Sequence, residues 1–206
     1  RIAKLINRRD ENGQKTVLSL ASGRSMRDLF VELVRLHKEE GLSFKNVVVF
    51  GSYEFYPLAD KNIGSMAQIQ SQLLDHIDIL PEHVHTFPGD LPKETIFTFC
   101  EEYEKAIVEA GGIDIQVLGI GQCGNIAMNE PGTQPNSSTR LVIMDSNSRV
   151  DAKSLFGNVA QVPTCAITLG VETILQAKEV ILLAFGQHKA GIVKQAIEEV
   201  ANAACP

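Results

Sequence analysis

Two stretches of this chain combine residue types and spacings that suit chemistry. The first runs Gly119-Ile120-Gly121-Gln122-Cys123-Gly124-Asn125-Ile126-Ala127-Met128-Asn129-Glu130-Pro131-Gly132. It holds flexible glycines, a thiol, a carboxamide and a carboxylate, and it follows an apolar run, Ile115 to Leu118, that reads as a buried strand. Loops at the carboxyl ends of parallel strands are where open α/β sheets hold their ligands. A glycine-rich loop exposes N–H groups that would lower the pKa of Cys123, yet a cysteine with no histidine nearby in sequence also reads as an inert thiol. The second stretch is Ser22-Gly23-Arg24-Ser25, between an apolar run and a helical pattern. Ser25 and Asp28 fit a capping box, which places Ser25 at the helix N-cap. A helix N-terminus offers unpaired N–H groups and a partial positive charge to phosphate. Gly23 would let the backbone approach an anion, and Arg24 would add a fork of donors. On the residues alone, an ordinary capped strand-to-helix turn explains the same letters.

The elements that must position these residues alternate along the chain. Thr16–Leu20 reads as a strand, followed by a helix with Leu29, Phe30, Leu33, Val34 and Leu36 on one face, stopping near Gly41. Val47–Phe50 is the next strand, then a helix runs through Met66, Ile69, Leu73 and Leu74. Val84–Phe87 is a weaker strand. Pro92 opens a helix from Thr95 to Ala110, closed by Gly111-Gly112. Strands follow at Ile115–Leu118, Leu141–Met144, Ala166–Leu169 and Val180–Phe185, with helices at Val171–Ala177 and Gln187–Ala203. Mostly continuous apolar strands imply a sheet covered on both faces. The expectation is a three-layer, Rossmann-like α/β fold, with a mostly parallel sheet and right-handed crossovers.

Composition narrows the partners. The net charge is −6, and no Lys/Arg cluster exceeds Arg8-Arg9, which argues against a nucleic-acid surface. No apolar run approaches the ~18 residues of a membrane span. Cys100, Cys123, Cys165 and Cys205 form no C-x-x-C and read as thiols of a reducing compartment, with the cytoplasm as the expected location. His83-Val84-His85 puts two imidazoles on one face of an edge strand but has no third ligand, so no metal is expected. Gly119-x-Gly121-x-x-Gly124 comes in mid-chain and leads into Asn-Glu-Pro rather than opening the first βαβ unit, so no nicotinamide cofactor is expected either.

The Gly119–Gly132 stretch resembles the signature of the glucosamine-6-phosphate deaminase/isomerase family, G-x-G-x-D-G-H-I-A-F-N-E-P. The match includes both outer glycines, Gly124, Ile126, Ala127 and Asn129-Glu130-Pro131. Ser22-Gly23-Arg24-Ser25 is similar to the family's phosphate loop, T-G-x-T. Lys189, in Gly186-Gln187-His188-Lys189-Ala190, matches a G-x-x-K-A lysine that contacts the substrate phosphate. Thr168-x-Gly170-x-x-Thr173-Ile174-Leu175 resembles T-x-G-x-x-T-L-L of the deaminase branch. The resemblance covers nearly the whole chain and implies a phosphorylated amino sugar, or a related small molecule, as ligand.

The family's chemical letters differ here. Cys123 stands for the Asp and Asn125 for the His of D-G-H, while Tyr53 replaces the catalytic Asp of N-x-D-E-Y in Ser52-Tyr53-Glu54-Phe55-Tyr56. Glu130 would be the carboxylate partner of the missing imidazole. Ser154 stands where the family has a phosphate-site arginine, with Arg149 and Lys153 as nearby cations. His188 is the one imidazole near the presumed pocket and is expected on the helix surface. Tyrosine, with a reference pKa of ~10, is a poor base near neutrality. Two expectations follow. In one, the pocket binds a sugar phosphate but has lost most or all deaminase activity. In the other, the chemistry is altered, with Glu54 or Glu130 as base and Tyr53 or Cys123 as acid. A structural or regulatory module without turnover is the alternative from another class. Residues 1–206 read as one domain, and a fragment is expected because family members continue past Cys205-Pro206. A homo-oligomer and a fused deacetylase-like domain, found in a family subgroup, are the macromolecular partners considered.

Overall fold

The computed structural model describes residues 1–198; Val200 and Ala203, assigned above to the last helix, and Cys205 lie outside the described residues. Five parallel strands form the central sheet: β1 (Thr16–Leu20), β2 (Val47–Gly51), β4 (Val84–His85), β5 (Ile115–Gly119) and β8 (Val180–Leu183), in the order β4-β2-β1-β5-β8. β1 and β2 are buried at every position and lie in register, Thr16 opposite Val47 through Leu20 opposite Gly51. This is the environment that a continuous apolar strand needs.

Alternation along the strands divides the core in two. Leu18, Leu20, Val47, Val49, Ile115 and Val117 face one side, against α1 (Ile2–Asp10), α2 (Arg27–Glu40) and α3 (Ser65–Gln72), which supply Ile2, Ile6, Phe30, Leu33 and Ile69. Val17, Val48, Phe50 and Leu118 face the other, against α4 (Ile96–Glu109), which supplies Ile96, Cys100, Tyr103 and Ile107. α2 stops where Gly41 takes φ 73, a conformation that glycine adopts without steric cost. Nothing in the sequence reading anticipated α1. Only Ile2 and Ile6 of its nine residues are buried, a stripe too thin to stand out.

The second layer differs from expectation. β3 (Tyr53–Tyr56), β7 (Cys165–Thr168) and β6 (Arg140–Ile143) form a separate three-stranded antiparallel sheet, ordered β3-β7-β6. β6 alternates between partly buried and exposed residues, with Ile143 81% exposed, as suits a sheet wet on one face. β3 is hidden in the sequence because it follows β2 after one residue, Ser52. That residue joins the two sheets: its N–H donates to Leu20 O at 3.0 Å, and its carbonyl accepts from Leu169 N at 2.9 Å. The Val84–Phe87 strand shrinks to two residues. α5 (Ser146–Phe156) packs beside the antiparallel sheet, α6 (Val171–Leu175) precedes β8, and α7 (Ala190–Glu198) follows it. Among the described residues no helix is long and apolar enough to cross a membrane.

Candidate functional site

Because β1, β5 and β8 are parallel neighbours, their carboxyl ends deliver three loops to one rim of the sheet. These loops line a cavity of about 520 Å³, within the range of small-molecule sites. Ser22, Gly23, Arg24 and Ser25 come from the β1 loop, Gly119, Gly121 and Asn125 from the β5 loop, and His188 and Lys189 from the β8 loop. Tyr53 and Phe55 of β3, with one face of α5, complete the wall.

The first and last loops share a local design. Gly23 (φ 114) opens a 3-10 turn, Arg24–Met26, that leads into α2; Gly186 (φ 90) opens another, Gln187–Lys189, that leads into α7. Neither turn is capped by a side chain, so two helix N-termini face the cavity with donors to offer an anion. The expected capping box is corrected here. Ser25 lies inside the 3-10 turn, and Met26 is the N-cap of α2. The positive φ of Gly23 lets the chain enter the helix through that tighter turn and removes the need for a hydroxyl cap. His188 is at the surface, on the 3-10 turn that precedes α7. It folds against Gly186 and lines the cavity.

Tyr53 is 9% exposed, and its hydroxyl lies 2.9 Å from Ser22 Oγ. Burial pushes the phenol above its usual pKa, with the Ser22 hydrogen bond opposing. Neutral Tyr53 therefore supports the Ser22 hydroxyl and is unsuited to taking a proton near neutrality. Asn125 accepts at its backbone carbonyl from Gly121 N at 2.8 Å, and its side chain lies so close to Gly121 that no Cβ would fit there. Its Nδ2 donates to Ser148 Oγ at 3.4 Å. Asn129 is fully buried and ties the loop to the end of β7, donating to Leu169 O at 2.8 Å. In this chain the Asn-Glu-Pro asparagine is thus a structural clamp.

Three of the singled-out residues are not on the cavity wall. Glu54, 3% exposed, accepts from Phe55 N at 2.8 Å and from Ser65 N and Met66 N at 2.9 Å, which anchors the start of α3. Burial raises its pKa despite these three backbone donors. Cys123 Sγ faces Asn147 Nδ2 at 3.6 Å. Glu130 Oε1 accepts from Asp145 N at 3.2 Å, while Oε2 is buried and has no partner among the described residues. Of the cations near Ser154, Arg149 donates to the carbonyls of Val159 and Val162, and neither it nor Lys153 lines the cavity. Ser154 and Arg24 both do.

Sequence reasoning missed Asp28, Gln68, Ser148 and Asp151 as lining residues. For α5 a signal existed: Ser148, Asp151, Ala152 and Leu155 follow i, i+3, i+4, i+7 spacing, which puts them on one helical face.

The likeness to known proteins agrees with this geometry. Residues 1–206 match the family model described as glucosamine-6-phosphate isomerases/6-phosphogluconolactonase. A glucosamine-6-phosphate deaminase-like protein of Bacteroides thetaiotaomicron is 48% identical over 198 residues, covering 96% of this chain but only 30% of that protein. The glucosamine-6-phosphate deaminase of Bacillus pumilus is 39% identical over 197 residues, covering 93% of this chain and 79% of that enzyme. The solved structure of a monomeric glucosamine-6-phosphate deaminase superimposes with a TM-score of 0.93 at 31% identity, over 100% of this chain and 83% of its own. The chain therefore belongs to the glucosamine-6-phosphate isomerase/6-phosphogluconolactonase family.

Proposed function

We propose that this chain is a sugar-phosphate-binding domain of the deaminase branch that holds a phosphorylated amino sugar and turns it over poorly or not at all. The anion end of the site is the Ser22–Ser25 loop with Lys189, and Arg24 supplies the cation that Ser154 does not. The observation that carries the loss of chemistry is Glu130. Its Oε2 is buried without a partner among the described residues, while Asn125, where the family has the imidazole, turns to Ser148 instead. The buried phenol of Tyr53, raised in pKa, stands where the family keeps a carboxylate base. The altered-chemistry reading does not rescue turnover, because both of its bases, Glu54 and Glu130, sit off the cavity wall and leave Tyr53, which lines it, without a partner base.

A role inside a larger protein is the second reading, favoured by the coverage of only 30% of the Bacteroides relative. In it, residues 1–206 form one cytoplasmic domain beside a second activity, and ligand binding regulates that neighbour. The same cavity serves both readings.

Ammonia release from glucosamine 6-phosphate tests the first. We expect none from the wild type above background, and a gain in Tyr53→Asp/Cys123→Asp/Asn125→His, since each general acid or base contributes roughly 10²–10⁴ in rate. Turnover by the wild type at rates typical of the family would overturn the proposal.

A further inference from the structure

Charge on the cavity wall is of both signs. Arg24 and Lys189 supply cations at the two helix N-termini, and Asp28 and Asp151 supply carboxylates. Asp28 lies in the first turn of α2, beside the anion loop. Asp151 lies elsewhere, on α5, where its Oδ1 accepts from Gln122 Nε2 at 2.9 Å. One turn earlier Ser148 accepts from Asn125. Asn125, Ser148 and Asp151 thus make one polar wall between the β5 loop and α5, with Gln122 off the lining and bonded to Asp151. Gln122 occupies only one oxygen of Asp151, and among the described residues no cationic side chain pairs with the other.

An unpaired carboxylate on the wall of an anion site weakens binding of a simple phosphate monoester. It strengthens binding of a ligand that carries a positive group away from its phosphate. Resting on the sugar-phosphate reading above, we propose that Asp151 is a specificity-determining residue that selects a zwitterionic ligand, an aminohexose phosphate with a protonated amine, over the neutral-sugar phosphate of the same shape. Phosphate seats at the Ser22–Ser25 and Lys189 end, and the ammonium meets Asp151 on the α5 wall. The Gln122 hydrogen bond holds the carboxylate in place and leaves its charge uncancelled.

Calorimetric titration of the full chain tests this with glucosamine 6-phosphate and glucose 6-phosphate, which differ by one ammonium against one hydroxyl. The variants are Asp151→Asn, which keeps an oxygen acceptor for Gln122, and Lys189→Ala. The wild type is expected to prefer the amino sugar. Asp151 is exposed, so Asp151→Asn should weaken glucosamine 6-phosphate about twofold to fivefold, the upper range for an exposed ion pair, and leave glucose 6-phosphate unchanged or slightly tighter. Lys189→Ala should weaken both. Equal wild-type affinities, or an equal effect of Asp151→Asn on both ligands, would overturn the role of Asp151 while leaving the phosphate site intact. If neither ligand binds, or if Lys189→Ala changes neither, the sugar-phosphate reading itself fails and this proposal with it.

Discussion

Replacing Glu54 by glutamine separates an anchor from a catalytic base. The carboxylate accepts three backbone N–H groups: Phe55 and Ser65 on Oε1, and Met66 on Oε2. In Glu54→Gln the amide oxygen would serve the first two, and the amide NH₂ would point at the Met66 N–H. One buried donor is then unpaired, at a cost of about 1–3 kcal/mol. For a domain of this size that lowers Tm by about 2–12 °C. The pH dependence has a definite sign. Burial raises the folded pKa of Glu54 above the ordinary carboxylate range, so the folded state holds this proton more tightly than the unfolded chain. The contribution of Glu54 to stability is therefore fully present below the unfolded pKa of about 4.3 and is lost as pH rises through the folded pKa. The Tm deficit of Glu54→Gln should be larger near pH 4 than at pH 7. Differential scanning calorimetry at both pH values reads both effects. An unchanged Tm at both pH values would refute the anchor.

Asp114 is 3% exposed and takes Val17 N at 2.8 Å, Lys178 Nζ at 2.7 Å and Arg9 Nη1 at 3.1 Å. Asp114→Ala strands the buried Val17 N–H between β1 and β5, while Lys178 and Arg9 remain solvent-accessible, and should cost about 1–3 kcal/mol in denaturant unfolding. Burial, with Glu104 adding to it, pushes the Cys100 thiol up to about 11. At pH 8 peptide mapping after maleimide labelling should therefore find Cys100 unmodified in the folded protein and modified after denaturation, while Cys123, partly exposed, reacts in the folded state. Lys189→Ala should leave Tm within about 2 °C in a thermal melt, because the half-buried side chain makes no salt bridge among the described residues.

Most of the parallel sheet was legible because β1, β2 and β5 are buried on both faces and read as mostly apolar runs. The loops of the cavity were legible because glycines with positive φ and a strand-to-helix change leave marks in sequence. The antiparallel sheet was not, since nothing local in Leu141–Met144 says whether the strand joins the mostly parallel sheet expected or pairs antiparallel, as it does. The alternating exposure of Leu141 and Ile143 belongs to the fold rather than to the apolar run that encodes it. Glu54 and Tyr53 illustrate a second limit. They are neighbours on β3, so their side chains point to opposite faces. One lines the cavity and the other reaches back to α3, and only the position of the strand decides which. The separation of Asp114 from its partners Val17 and Arg9, and of Glu54 from Met66, is likewise a tertiary fact with no local signature.

Binding of a phosphate between the Ser22–Ser25 turn and Lys189 underlies every functional statement above. Calorimetric titration of the wild type and Lys189→Ala with glucosamine 6-phosphate tests it most directly. The expected result is saturable one-to-one binding that weakens by about tenfold or more in the variant, the scale of one charge-assisted contact to phosphate. Wild-type heats indistinguishable from dilution, or equal affinity in the two proteins, would contradict it.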